Sequence, residues 1–285
     1  MRPHSASLNV RPAKRTDANA IQRLLDEHRA VHTRISSDDV QHKLIEYVAF
    51  IAEDMISLRG FLMIEPQPPR TGLLVSVAVH DNAKPSSVLA ALLPPSEAEA
   101  HIQGLDSVMQ VGEAPWLTRE LPKFGYTVQD TIVTFEWHHT PLPQIRPHPQ
   151  LNIRSARLED LPILLQLDQL AFGPMWQKPK TAFREALSRA ASFAVGVIDD
   201  TIVAYEWCDQ HGERAHLTRL ATHPDYQGEG IGTQLLHYTL QTMANFNVSV
   251  VSLNTQTDNL RSQELYERFG FKRTEEEIGV YWKEL

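Results

Sequence analysis

Each half of the chain opens with the same alternation of apolar and polar positions. The first half begins "LNVRPAKRTDANAIQRLLDEH" at Leu8, and the second begins "LNIRSARLEDLPILLQLDQLAF" at Leu151. Both read as a short strand, a polar turn carrying an Asp, and a helix with apolar residues at helical spacing. The halves also end alike. "LTRELPKFGYTVQDTIVTFEW" parallels "SQELYERFGFKRTEEEIGVYW": a helix stopped by Gly125 or Gly270, then an aromatic residue and two strands. Glycine just past a helix commonly supplies its left-handed terminal position. A repeat of this length means duplicated domains rather than a solenoid of short units.

The second half reads as a strand at 151–154 and helices near 159–171 and 179–191. "SFAVGVID" and "TIVAYEWCD" form a hairpin over Asp199-Asp200, a weak turn signal. "RAHLTRLATH" is the next strand, followed by a glycine loop and a helix at 231–246. "VSVVSLNT" is apolar and β-branched, as a buried strand should be. A helix at 259–269 and strands near 271–275 and 278–284 close the domain. This order implies a mixed α/β or α+β sheet. Between the halves, "HHTPLPQIRPHPQ" (138–150) holds four prolines and no extended apolar pattern, so it reads as an extended linker. The boundaries are therefore 1–137, 138–150 and 151–285.

Composition narrows the class. The 285 residues are 42% apolar and 22% charged, an ordinary globular mixture. A formal net charge of −8 and the lack of a basic stripe argue against a nucleic-acid module. No apolar run is long enough for a membrane span, and the N-terminus lacks the apolar core of a signal peptide. Cys208 is the only cysteine, so no intramolecular disulfide can form. A cytoplasmic enzyme or binding protein is the default expectation. His138, His139 and His148 have no metal-ligand spacing, so no metal is expected.

The candidate chemistry lies in "HPDYQGEGIGTQLL" (223–236), between a strand and a helix. The first amides of a helix lack intrahelical partners and sit at the positive end of its dipole, which suits a phosphate. Glycines permit φ > 0 and let successive N–H groups converge on an anion. The alternative is a flexible turn that needs no ligand. The loop is neither a P-loop, since no Gly-Lys-Ser/Thr follows, nor the dinucleotide fingerprint, since its spacing is G-x-G-x-G.

"LATHPDYQGEGIGTQLL" resembles motif A of the GCN5-related N-acetyltransferases (GNAT), with "QGEGIG" fitting Q/R-x-x-G-x-G/A. "NLRSQELYERFGF" (259–271) is similar to that family's later N-x-x-A-x-x-L-Y-x-x-x-G-F motif, with Ser262 in place of the usual alanine. The resemblance covers 151–285 and occurs in family order; the first half resembles the same fold weakly. It implies two tandem GNAT-like domains, each a mixed, mostly antiparallel sheet flanked by helices, with splayed parallel central strands. It implies acetyl-CoA as co-substrate, lying where strands 215–222 and 248–255 part.

By the same resemblance, backbone groups around Leu220, Ala221 and Thr222 bind the pantetheine arm and polarise the acetyl carbonyl. The pyrophosphate rests on the amides of Gln227, Gly228, Glu229, Gly230, Ile231, Gly232 and Thr233. Asn254, Asn259 and Ser262 contact the cofactor, and Tyr266 protonates the departing thiolate. A base on the motif-A strand is expected, and His216 occupies a comparable position. Strand alternation puts 216, 218, 220 and 222 on one face, and an imidazole suits proton removal near neutrality. Glu206 is the second candidate. A packed or solvent-facing strand residue is the alternative reading of His216, and an exposed strand carboxylate that of Glu206. Cys208 could accept an acetyl group, though a lone cysteine is more often buried and inert.

The first half lacks these features. "TGLLVSVAVH" is followed by "DNAKPSSVLAALL" with no Q-x-x-G-x-G, and Pro85 removes an amide where the cradle should be. Leu121 aligns with Tyr266. The half reads as a degenerate copy that supports the fold, shapes the acceptor cleft or pairs with the second half. Its helix "DEHRAVHTR" is a candidate cleft element. The implied function is an N-acetyltransferase acting on a small-molecule or peptide amine. A non-catalytic acyl-CoA sensor, a protein N-terminal or lysine acetyltransferase, and a homodimer all stay open.

Overall fold

The computed structural model describes residues 8–36 and 39–285. The chain divides into two compact units, Met1–Asp130 with Ile278–Leu285, and Thr131–Glu277. In chain order, unit 1 holds β1 (Asn9–Pro12), α1 (Ala18–Glu27), β2 (Ala30–Thr33), α2 (Val40–Glu46), β3 (Val48–Glu53), β4 (Leu58–Gln67), β5 (Thr71–Val79), α3 (Pro85–Ile102), β6 (Ser107–Val111) and α4 (Pro115–Glu120). The next strand, β7 (Thr127–Trp137), carries the chain into unit 2. There follow β8 (Asn152–Ser155), α5 (Leu161–Ala171), α6 (Lys180–Arg189), β9 (Ser192–Ile198), β10 (Thr201–His211), β11 (Arg214–Thr222), α7 (Ile231–Asn245), β12 (Val250–Gln256), α8 (Leu260–Arg268) and β13 (Lys272–Glu284).

The two units share one plan. In unit 1, β1, β3, β4 and β5 pair antiparallel in that order, β5 runs parallel to β6, and residues 280–284 of β13 pair antiparallel with β6. In unit 2, β8, β9, β10 and β11 are antiparallel, β11 runs parallel to β12, and residues 132–137 of β7 pair antiparallel with β12. Each unit thus takes its last strand from the other half of the sequence. The Pro-rich segment 138–150, expected to link domains, belongs to unit 2. It is irregular but anchored: Thr140 Oγ1 donates to Phe269 O at 3.3 Å, and His148 N donates to Gln234 Oε1 at 2.9 Å.

Apolar faces hold both sheets. On one face of the unit 2 sheet, Leu236, Leu240 and Met243 of α7 pack on Leu217, Leu253 and Phe135; on the other, Leu161, Leu164 and Phe183 pack on Phe193, Tyr205 and Trp207. Each such side chain contributes about 1.5–3 kcal/mol on burial. Gly125 and Gly270 adopt φ of 87° and 84°, the left-handed stops expected of them. Asp199 and Asp200 take φ of 46° and 61° and close the β9–β10 hairpin, as a two-residue turn of this kind requires.

Two elements differ from the sequence reading. The strands near 271–275 and 278–284 are one strand, β13, because the acidic run Glu275–Glu277 continues as exposed strand instead of turning. "DEHRAVHTR" is not a helix. α1 ends at Glu27, and Ala30–Thr33 form β2, antiparallel to Ser76–Val79 of β5. The β-branched Val31 and Thr33 suit that conformation, and it satisfies backbone groups of β5 that β6 leaves unpaired beyond Leu73.

Candidate functional site

The site in unit 2 starts with an irregularity in β11. Trp207 pairs with Arg219 and Cys208 with Leu217, so Thr218 is an extra residue in β11, a β-bulge. Its hydroxyl donates to Asp209 Oδ2 at 2.7 Å, which also accepts from Trp207 Nε1 at 3.0 Å. The bulge reverses the facing of the strand. Ala215 and Leu217 pack toward α7 before it, whereas Leu220 packs beside Ile231 and Leu235 after it, and Ala221 turns toward α5 and α6. The expectation that 216, 218, 220 and 222 share one face is therefore wrong, since alternation does not survive an inserted residue. Beyond Leu217↔Leu253, β11 and β12 no longer pair. His223 N donates to Val203 O at 2.8 Å, so residues 221 and 223 turn their backbone groups to β10. Leu220 and Thr222 turn theirs into the gap between β11 and β12.

A cavity of about 640 Å³ opens at this gap. Its walls are the end of β11 (Leu220, Ala221, Thr222), the glycine loop with the first turn of α7, the start of the α5–α6 connection (Phe172, Gly173, Trp176), and one side of α8. In the loop, Gly228 and Gly230 have φ of 93° and 84°. A Cβ on Gly230 would meet nothing within 4 Å, so its outer side is open. The first α7 amide with a helical acceptor is that of Gln234, bonded to Gly230 O at 3.0 Å. The amides of Ile231, Gly232 and Thr233 precede it and head the helix dipole.

Gln227 departs from expectation. Its amide is taken by Pro224 O at 3.2 Å, so it offers no N–H to an anion. Its side chain fixes the loop instead: Nε2 donates to Thr222 O at 3.2 Å, and Oε1 accepts from Arg261 Nη1 at 2.9 Å. Glu229 does not line the cavity; its carboxylate lies 3.5 Å from His148 Nε2. Two cations that sequence reasoning missed stand here. Arg261 and Arg268 line the cavity from α8, and Arg268 Nη2 donates to Thr233 Oγ1 at 3.1 Å. Their spacing of seven puts them on one helix face, a signal the motif comparison passed over.

α8 supplies the other wall. Asn259 caps it, with Oδ1 accepting from Ser262 N at 3.3 Å, and both residues line the cavity. Tyr266 is 7% exposed, packs against Phe135 and Phe271, and also lines the cavity. Burial pushes its phenol up to about 12, against the opposing effect of a hydrogen bond with Ser262. It therefore stays protonated at neutral pH. Asn254 does not line the cavity; it is exposed, and its Oδ1 accepts from Thr134 Oγ1 at 2.9 Å because the β12 register sets it opposite β7.

Neither candidate base lines the cavity. His216 lies before the bulge, with Nδ1 3.0 Å from Ser252 Oγ. The Ser252 hydroxyl donates to Ala215 O, which leaves its oxygen to accept from Nδ1. Glu206 is fully buried on the α7 side of β10, accepting from Ser192 Oγ at 2.6 Å. Burial pushes its carboxyl up to about 7, despite hydrogen bonds with Ser192, Thr239 and the backbone of Ala194. Glu264 is the carboxylate that does line the cavity. Cys208 is buried, and burial pushes its thiol up, which suits packing and not nucleophilic work. Among the described residues no cluster of His, Cys, Asp or Glu could hold a metal ion. No helix among them is long and apolar enough to cross a membrane.

Residues 161–271 match the family model for the acetyltransferase (GNAT) family. Unit 2 therefore carries a GNAT-family domain. A mycothiol acetyltransferase of Acidimicrobium ferrooxidans is 29% identical over 105 residues, 35% of this chain and 34% of that enzyme. The chain thus spans about a third of that relative's length. An N-alpha-acetyltransferase of Sulfurisphaera tokodaii is 28% identical over 137 residues, 43% of this chain and 81% of the relative. A solved tandem GNAT protein from the clavulanic acid biosynthesis pathway superimposes with a TM-score of 0.67 at 14% identity, covering 98% of both chains. That likeness carries the fold alone.

Proposed function

We propose that this chain is an acetyl-CoA-dependent N-acetyltransferase with its active site in unit 2. One observation carries the reading: the cavity joins an anion cradle, an unpaired strand edge and a buried phenol in a single space. The residues fit acetyl-CoA. The amides of Gly228 and of Gly230 to Thr233, with Arg261 and Arg268, suit its phosphates. The Leu220 backbone and the Thr222 N–H, outside any strand hydrogen bond, suit the amide-bearing pantetheine arm and offer N–H groups to the acetyl carbonyl as negative charge develops there. Tyr266, held protonated, suits donation to the thiolate that leaves. The acceptor's amine nitrogen attacks the carbonyl carbon, the carbon–sulfur bond breaks, the sulfur takes the Tyr266 proton, the amine proton passes to solvent, and a solvent proton restores the phenol. Bringing amine and thioester together supplies much of the acceleration.

Calorimetric titration with acetyl-CoA, followed by a transfer assay over a panel of primary amines, tests the proposal. Absence of binding would reject it, and binding without transfer to any amine would favour an acyl-CoA sensor. A second reading makes the acceptor a protein N-terminus. The relative named an N-alpha-acetyltransferase, matched over 81% of its length, favours it. Transfer to peptides and not to small amines would select that reading.

A further inference from the structure

The connection between α5 and α6 is held by a buried polar cluster that the proposed reaction does not use. Asp168, on α5, is 1% exposed, and Arg219, on β11, is 7% exposed. Arg219 Nε lies 3.3 Å from Asp168 Oδ1, which also accepts from Tyr205 Oη at 2.5 Å. Asp168 Oδ2 accepts from the backbone N of Lys178 at 2.9 Å. Arg219 in turn donates to Trp176 O and stacks its guanidinium 4.0 Å from the centre of the Phe172 ring. The cluster thus grips the connection at Phe172, Trp176 and Lys178. Phe172 and Trp176 line the cavity; Arg219 and Asp168 do not.

Unit 1 provides the internal comparison. Matching the strand ends "VAVH" (77–80) and "LATH" (220–223) puts Ser76 opposite Arg219. Matching Asp17 with Asp160, which make the same ion pair to Arg11 and Arg154, puts Leu25 opposite Asp168. Tyr205 pairs with Ala221 as Phe61 pairs with Ala78. All three polar groups are missing from unit 1, where Ser76 Oγ is buried without a hydrogen-bond partner. There the equivalent connection, after α1, takes a different course: it enters the gap beside β5 as β2. Trp116 Nε1 bonds its far edge, at Val31 O, at 3.3 Å.

We infer that the Arg219–Asp168–Tyr205 cluster is a latch that sets the course of residues 172–178, keeping them out of the β11–β12 gap as the wall of the acceptor end. Its members are positioning residues. The wall they hold is aromatic and carries no charge of its own at Phe172, Gly173 and Trp176, so it selects an acceptor whose group next to the amine is apolar. This inference rests on the transferase reading for its kinetic consequence, but not for its structural one.

The test compares the wild-type chain with Arg219→Gln and with the triple variant Asp168→Leu, Tyr205→Phe, Arg219→Ser. The triple variant removes every member together and leaves no unpaired buried charge. Hydrogen exchange is measured over 172–178 and over α7. The expected result is at least tenfold faster exchange in 172–178, at Lys178 above all, with α7 unchanged. Unchanged exchange in 172–178 overturns the latch, and so does uniform acceleration throughout unit 2, which would mark a purely structural role. With tyramine and an alanine-initiated tetrapeptide as acceptors, the variants should raise the amine KM at least tenfold while acetyl-CoA affinity stays within twofold. An unchanged amine KM overturns the wall assignment. A wild-type chain that binds no acetyl-CoA rejects the transferase reading instead, and the exchange result still decides the latch.

Discussion

Tyr266 and Glu206 are both buried acids, yet burial serves them differently. For Tyr266 the raised pKa, about 12, preserves a proton that can be donated at any physiological pH. Tyr266→Phe should therefore lower kcat by about 100-fold, the lower end for loss of a general acid. Acetyl-CoA affinity by calorimetry should change little, since the ring remains. An unaltered kcat would remove Tyr266 from the acid role. Glu206 is sealed away from the cavity, and its effect is on stability. Its carboxyl sits near 7 in the fold against 4.5 for the free group. The folded state therefore holds the proton more tightly, and its stabilising effect is full below about pH 4.5 and lost as pH rises through 7. One pKa unit is about 1.4 kcal/mol, so the change is of the order of 3 kcal/mol. Denaturant unfolding between pH 5 and 8 should show wild-type stability falling with pH and Glu206→Gln losing most of that slope. Parallel slopes in the two proteins would mean that the carboxyl is not protonated in the fold. The motif made Tyr266 legible in the sequence. The burial of Glu206 is not legible, because its partners, Ser192 and Thr239, are brought to it by tertiary packing.

At the scale of elements, periodicity gave most helices and strands, and the paired glycines at 125 and 270 gave the repeat. The bulge at Thr218 was not legible, because an inserted residue leaves the apolar pattern "RAHLTRLATH" looking regular. Its effect is large: it turns His216 away from the face that carries Leu220 and Thr222. Unit 1 has the same device at Val75, where Met63 pairs with Ser76 and Ile64 with Leu74. The glycine loop was legible because its need for φ > 0 is written in the residue type. Gly230→Val should cost about 1–3 kcal/mol in backbone strain. The added side chain projects into open cradle space, so acetyl-CoA affinity should also fall at least tenfold by calorimetry. Gly230→Asn separates the two effects, since Asn tolerates the left-handed region. Equal affinities for Gly230→Val and wild type would mean that the cradle does not hold the phosphates.

For the whole molecule, two features follow from the duplicated plan. In unit 1 the gap beside β5 is filled by β2, bonded to Ser76–Val79 on one edge and to Trp116 on the other. One acetyl-CoA per chain is therefore expected, and a calorimetric stoichiometry of two would show that β2 gives way. The second feature is where a folding unit begins. The prolines at 138–150 suggested a boundary there, but the last strand of the unit 2 sheet comes from before them. Val133, Phe135 and Trp137 of β7 are at most 1% exposed. Losing three such side chains at about 1.5–3 kcal/mol each approaches the 5–15 kcal/mol that typically holds a domain together. Removing β7 also leaves β12 with an unpaired edge along Val251–Gln256. A fragment of residues 131–277 should melt cooperatively in a scanning calorimeter and bind acetyl-CoA, because it keeps the strand, the cradle and Tyr266. A fragment of residues 151–285, cut where composition alone would cut it, should show no cooperative transition. If 151–285 melts cooperatively and binds acetyl-CoA with the affinity of the full chain, β7 is dispensable and the sequence boundary is the physical one.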